Sequence, residues 1–286
     1  MKKISALLLI VLLIPLKSYS ACSGSDCCTI TSGVVTWPDN NSCSLQPDTY
    51  GITMYNMYLC LSEPSAPTTT AGAGLTAARC EKVFEAASGS AITIESIGGS
   101  TAFPGATFFR PPPGSYTHGY LLIDNVFNIS FDLEFDTSIT GGSSGTGKYC
   151  ATVTGSENEA DGGSIVCSGS DNLTAGTWGA ILTSFDGTSS FDPDVSVTNL
   201  NGTGASIAGY LVETDGTLGS ENSDIDRLVG IQSFASAIEI TKDLKSLDVQ
   251  FGINQGTTIW DDAGGGGNTI EAGSGPFQAI ITPVNY

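Results

Sequence analysis

The chain has 286 residues, with 29 acidic against 10 basic side chains, 36 Gly, 8 Cys and a single His. A formal net charge of −19 repels phosphate backbones and anionic headgroups, and no run gathers Lys or Arg into a basic patch, so nucleic acid is excluded as a natural partner. The apolar fraction of 40% is enough to build a core and excludes disorder throughout.

Residues 1–20 hold three Lys, no acid and the apolar run 4–16, followed by small residues ahead of Ala21. This is the plan of a secretory signal peptide, and a run of about 13 apolar residues falls short of the roughly 20 that cross a bilayer. Its removal would leave 266 residues at −22, with 7 basic against 29 acidic side chains. The expectation is an exported protein of the cell surface, extracellular space or periplasm, bacterial in the style of its leader. No later segment resembles a membrane helix. Cys22, just past the apolar run, has lipidation as its alternative fate, although Tyr19 stands three residues before it where lipoprotein signals usually carry Leu.

Export turns the eight cysteines into candidates for four disulfides. Spacing suggests local bridges, Cys60 with Cys80 and Cys150 with Cys167, leaving Cys22, Cys27, Cys28 and Cys43 to pair among themselves. Cys27 and Cys28 are adjacent, so each is expected to take a different partner. A thiolate zinc cluster is disfavoured by export and by the lack of a C-x-x-C pair.

Period-2 patterning dominates the chain that follows. Phe127, Ile129, Phe131, Leu133 and Phe135 alternate with polar residues and read as one strand with a dry and a wet face. Leu247, Val249, Phe251 and Ile253 repeat the pattern. The runs 50–60, 120–123, 207–212 and 277–284 are apolar on both faces, as in strands covered on both sides or lying at a subunit contact. Helical periodicity is confined to two candidates, residues 76–87 and 225–234. With Gly-rich turns throughout, the fold reads as all-β, an antiparallel β-sandwich or jelly roll braced by disulfides.

Two stretches read as connectors: the Pro/Thr/Ala-rich residues 61–79 and the Gly/Ser run 140–147. The second coincides with a rise in acidity. A boundary there would separate residues 21–139, the Cys-containing β region, from 148–286, the acidic β region; a long loop inside one continuous sandwich is the alternative.

Residues 103–120 concentrate aromatics, three consecutive Pro, Arg110 and the only His. Proline cannot donate to a sheet ladder, so Pro111, Pro112 and Pro113 are expected in an exposed turn or edge. Phe108, Phe109, Tyr116 and His118 form the candidate contact surface, against the alternative that the aromatics fold back into the core. Asp192, Asp194, Asp215, Asp261 and Asp262 are the candidate calcium ligands, although Asp beside Gly more commonly makes solvated turns and no EF-hand spacing occurs.

No catalytic set emerges. A single His makes any Ser or Cys triad depend on His118, no G-x-S-x-G elbow or P-loop is present, and Gly264 to Gly267 lack the strand-then-helix context of a phosphate cradle. Three Trp (Trp37, Trp178, Trp260) leave little for stacking sugars. The expected function is a non-catalytic structural or adhesive protein that needs no cofactor. It would associate with itself or another surface protein, with strand addition by residues 277–286 or 30–37 as a specific version. The alternatives are a glycan- or ligand-binding module with a calcium site and a polysaccharide-active enzyme using a carboxylate pair.

Overall fold

A computed structural model describes residues 27–37, 42–95, 103–157, 163–185, 191–200, 202–261 and 269–286. The described chain is all-β, its one helical element being a 3-10 turn at Asn222–Asp224. Twenty strands follow in order: β1 Ile30–Thr31, β2 Val34–Val35, β3 Ser42–Leu45, β4 Thr49–Cys60, β5 Cys80–Ile94, β6 Thr107–Phe108, β7 Gly114–Asp124, β8 Val126–Ser130, β9 Asp132–Gly141 and β10 Thr146–Thr152. The second half contributes β11 Gly155–Ser156, β12 Ile165–Ser168, β13 Trp178–Ile181, β14 Asp194–Leu200, β15 Ala205–Val212, β16 Arg227–Ile240, β17 Leu244–Gly252, β18 Thr257–Asp261, β19 Thr269–Ser274 and β20 Gln278–Asn285.

In the ten-stranded sheet, β4 is flanked by β5 along one edge and by β7 and β8, end to end, along the other. Beyond β7 come β16, β15 and β14; beyond β8 come β13 and β11; β6 closes the side of β5. An eight-stranded sheet runs β1-β2-β9-β19-β18-β3, with β10 and β12 added on β9. A two-stranded ribbon, β17 with β20, makes the third unit. Most pairs are antiparallel, but β2 and β19 both lie parallel to β9.

The alternating run from Phe127 to Phe135 is two strands rather than one. The ladder of β8 ends at Ser130 in the larger sheet, and β9 starts at Asp132 in the other. Phe131 is the corner, 1% exposed, and its N–H donates to Thr152 Oγ1. The pattern persists because both sheets turn the same side of the chain toward a shared core: Ile129, Leu133 and Phe135 belong to one apolar cluster with Ile259 and Ile270. Two sheets facing one core are a sandwich-like arrangement.

Both candidate helices are strands. Residues 76–87 make a turn and then enter β5, where Val83, Phe84 and Ala86 are buried against the core; residues 225–234 enter β16, covered on both faces. Long-range pairing overrides the helix propensity of Ala, Glu and Lys in the first case. In the second, two-sided burial removes the alternation that marks a strand.

The Gly/Ser run 140–147 forms the hairpin between β9 and β10, with Thr140 opposite Thr146. Gly145 takes φ +77 there, and a Cβ on it would lie 2.1 Å from the Cys167 carbonyl oxygen. Strands from before and after this hairpin pair within both large sheets. Residues 61–79 do not hang free: Ala73, Leu75 and Ala78 pack with Tyr58, Tyr120 and Val229 in a second, smaller apolar cluster on the other face of the ten-stranded sheet.

Disulfides join Cys28 to Cys43, Cys60 to Cys80 and Cys150 to Cys167. The last two are cross-strand pairs in direct register. Cys27 is also disulfide-bonded, so the adjacent cysteines take different partners; Cys22 lies outside the described residues.

Candidate functional site

The ten-stranded sheet carries a candidate site near each of its far edges, one aromatic and one apolar. The first is the edge at β6. Phe108 is held opposite Phe84 by the ladder between β5 and β6, and the Phe109 N–H donates to the Val83 carbonyl. The rings of Phe84, Phe103 and Phe108 meet edge to face, with centroids 5.4, 5.5 and 5.8 Å apart, a geometry that adds attraction beyond area burial. Phe84 is buried and roots the group, while Phe108 is 61% exposed and Phe109 40%.

The prolines brace this corner. Tyr116, 1% exposed, donates its hydroxyl to the Pro112 carbonyl at 2.8 Å, and Arg110 Nη2 donates to the Lys242 carbonyl at 2.7 Å. The next residue along, Asp243, accepts the N–H of Tyr286, whose side chain is 91% exposed. Pro112 and Pro113 are exposed as expected, whereas Pro111 is buried. Of the four contact residues expected from the sequence, Phe108 and Phe109 face solvent. Tyr116 is a buried anchor. His118 is half-buried within β7, with Nδ1 2.9 Å from Thr117 Oγ1; burial pushes its pKa below the usual range, with Glu63 opposing.

Of the carboxylates expected to gather around calcium, Asp192, Asp194, Asp215 and Asp261 lie in the described chain, and three of them, Asp192, Asp215 and Asp261, accept local hydrogen bonds. Asp215 Oδ1 accepts the N–H and hydroxyl of Thr217, which holds its carboxyl below the usual range. Asp192 Oδ1 accepts the Asp194 N–H, and Asp261 Oδ1 accepts the Thr269 N–H. Asp262 and Gly264 to Gly267 lie outside the described residues. Among the described residues no group of three His, Cys, Asp or Glu side chains converges on a common ion position.

One carboxylate pair has unusual surroundings. Burial pushes the Glu157 carboxyl above its usual range, against an opposing N–H from Ile181, and nearby Glu271 adds to the rise. Glu271 is engaged in holding the fold together: it accepts both the N–H and the hydroxyl of Ser164, and the Ser164 oxygen in turn accepts the Ala272 N–H. Trp37 and Trp178 are core residues and offer no stacking platform.

The second site was not expected from the sequence. On the core-facing side of β15 and β16, near the β14 edge, an apolar cleft of about 190 Å³ opens between the sheet and residues 274–277. Val195, Val197, Ile207 and Leu228 line the sheet side and Phe185 and Phe277 the walls, with Thr258 and Ser274 completing the lining. A smaller pocket beside it shares Leu121, Ile207, Gly230 and Phe277. No Asp, Glu, Lys, Arg or His lines either.

Among the described residues no helix is long and apolar enough to cross a membrane. Comparison of the chain with protein-family models, with curated proteins and with solved structures found no match.

Proposed function

We propose that this chain is an exported, non-catalytic structural or adhesive β-protein that works by contact, and that the corner around Phe108 is where it touches a second copy of itself. One observation carries the reading: a large aromatic ring stands 61% exposed on a rigid, ring-braced edge of the sheet. Interface energy concentrates in rigid aromatic anchors of this kind, because little side-chain entropy remains to be lost on docking. The disulfides support an oxidising compartment. Strand donation by residues 277–286 has less support, since β20 is already paired with β17 along its length.

The test is sedimentation and electron microscopy of the oxidised protein spanning residues 21–286, beside Phe108→Ser. Concentration-dependent oligomers or filaments are expected from the parent and not from the variant. A parent that stays monomeric at high concentration overturns self-association, and assembly unchanged by Phe108→Ser overturns the assignment of this corner.

A further inference from the structure

The cleft at the β14 edge is hollowed by two glycines that face each other across the ladder, Gly209 of β15 and Gly230 of β16. Glycine weakens a strand interior, and its presence there marks a place where something approaches the backbone closely. Here the space is finely used. A Cβ on Gly209 would sit 3.1 Å from the Phe185 ring and 3.3 Å from Val195; one on Gly230 would sit 3.3 Å from Ile207. The missing side chains let these apolar groups close in while leaving a trough beside them.

We infer that this trough is a binding site for a neutral, largely hydrocarbon small molecule. Two observations set the class. The volume of about 190 Å³ exceeds that of cavities of about 150 Å³ lined by aliphatic and aromatic side chains, which take up a benzene-sized guest. The lining carries no charge to pair with an ionic ligand, so an ion would lose its hydration without compensation. The polar groups on one wall already have partners within the fold, Thr258 Oγ1 with Ser44 Oγ at 3.0 Å and the Gly275 carbonyl with the Tyr50 hydroxyl at 3.0 Å, so a guest is held by its contact with Val197, Ile207 and Leu228. A protein partner does not fit the dimensions, since a specific interface buries roughly 800 Å² on each side. The site lies across the sheet from the Phe108 corner and does not depend on the function proposed for it.

The test uses the oxidised protein spanning residues 21–286 and the neutral probe N-phenyl-1-naphthylamine, followed by fluorescence and displaced by straight-chain alcohols of six to ten carbons. Saturable binding near one probe per chain is expected, with displacement that tightens as the alcohol lengthens. Gly230→Val and, separately, Val197→Trp fill the trough and are expected to weaken binding at least about tenfold. Circular dichroism and the thermal midpoint show which variant has kept its fold, and Phe108→Ser is expected to bind as the parent does. No saturable binding by the parent, or unchanged affinity in a folded trough variant, overturns the inference. So does probe binding that appears only alongside dimers in size-exclusion chromatography, because the occupant would then be another chain.

Discussion

The side chain of Gln232 acts as one more rung of backbone for Ala279: its Nε2 donates to the Ala279 carbonyl at 2.8 Å, and its Oε1 accepts the Ala279 N–H at 2.9 Å. Gln232 lies on β16, 5% exposed, and Ala279 on β20. This two-point clamp fastens the ribbon to the large sheet without a continuous ladder between them.

Gln232→Leu keeps the bulk and removes both bonds, leaving a half-buried N–H and C=O without their partner. The expected loss is about 2–3 kcal/mol, from the cost of orphaning such groups. Urea denaturation measures it, and a loss below about 0.5 kcal/mol would show that the clamp is incidental.

Removing the Cys60–Cys80 bridge tests whether residues 61–79 are held by packing or by covalent closure. The bridge spans 20 residues, and the chain-entropy model assigns such a loop about 3 kcal/mol. Cys60→Ala with Cys80→Ala is therefore expected to lower stability by about that amount, with protease cleavage appearing within 61–79. Equal stability with an uncut segment would mean that Ala73, Leu75 and Ala78 hold it unaided.

Two tyrosines set the alkaline limit. Burial pushes the Tyr120 phenol up to about 12, with nearby Tyr58 adding to the rise, and burial pushes Tyr50 higher still; the Tyr50 hydroxyl donates to the Gly275 carbonyl at 3.0 Å. In the unfolded chain tyrosine ionises near pH 10. The stability these phenols contribute is therefore whole below about pH 10 and drains away as pH rises toward 12. Tyr120→Phe is expected to remove about 2 kcal/mol of that loss by about pH 11.5, read as a flatter fall of the urea midpoint between about pH 9 and 11.5. Identical pH profiles for parent and variant would refute this.

Much of the strand content is visible in the linear chain. Leu247, Val249 and Phe251 advertise β17, which ends one residue before Ile253, and residues 50–60 and 207–212 correspond to β4 and β15. The switch of sheets at Phe131 is not visible, because an alternating run looks the same whether it serves one sheet or two. Residues 225–234 concealed β16 for the opposite reason, since apolar side chains cover both its faces. Of the contact surface, Phe108 and Phe109 stand out in the sequence only as aromatics beside proline, and nothing local distinguishes them from Tyr116, whose hydroxyl finds Pro112 only in three dimensions. The cleft left no local trace. Its lining comes from stretches between Leu121 and Phe277, and the register that sets Gly209 against Gly230 exists only once β15 and β16 have paired.

The disulfides and the sheets impose different timetables on folding. The bridges Cys28–Cys43, Cys150–Cys167 and Cys60–Cys80 close over 15, 17 and 20 residues, so all three can form as the chain emerges. The eight-stranded sheet cannot close on that schedule: β3 near the start waits for β18, and β9 waits for β19, so its centre stays open until the last strands are made. Such long-range pairing slows folding. The nascent protein is thus a chain of small closed loops with unpaired strand edges, and the interval before residues 257–274 arrive is when it is most exposed to aggregation.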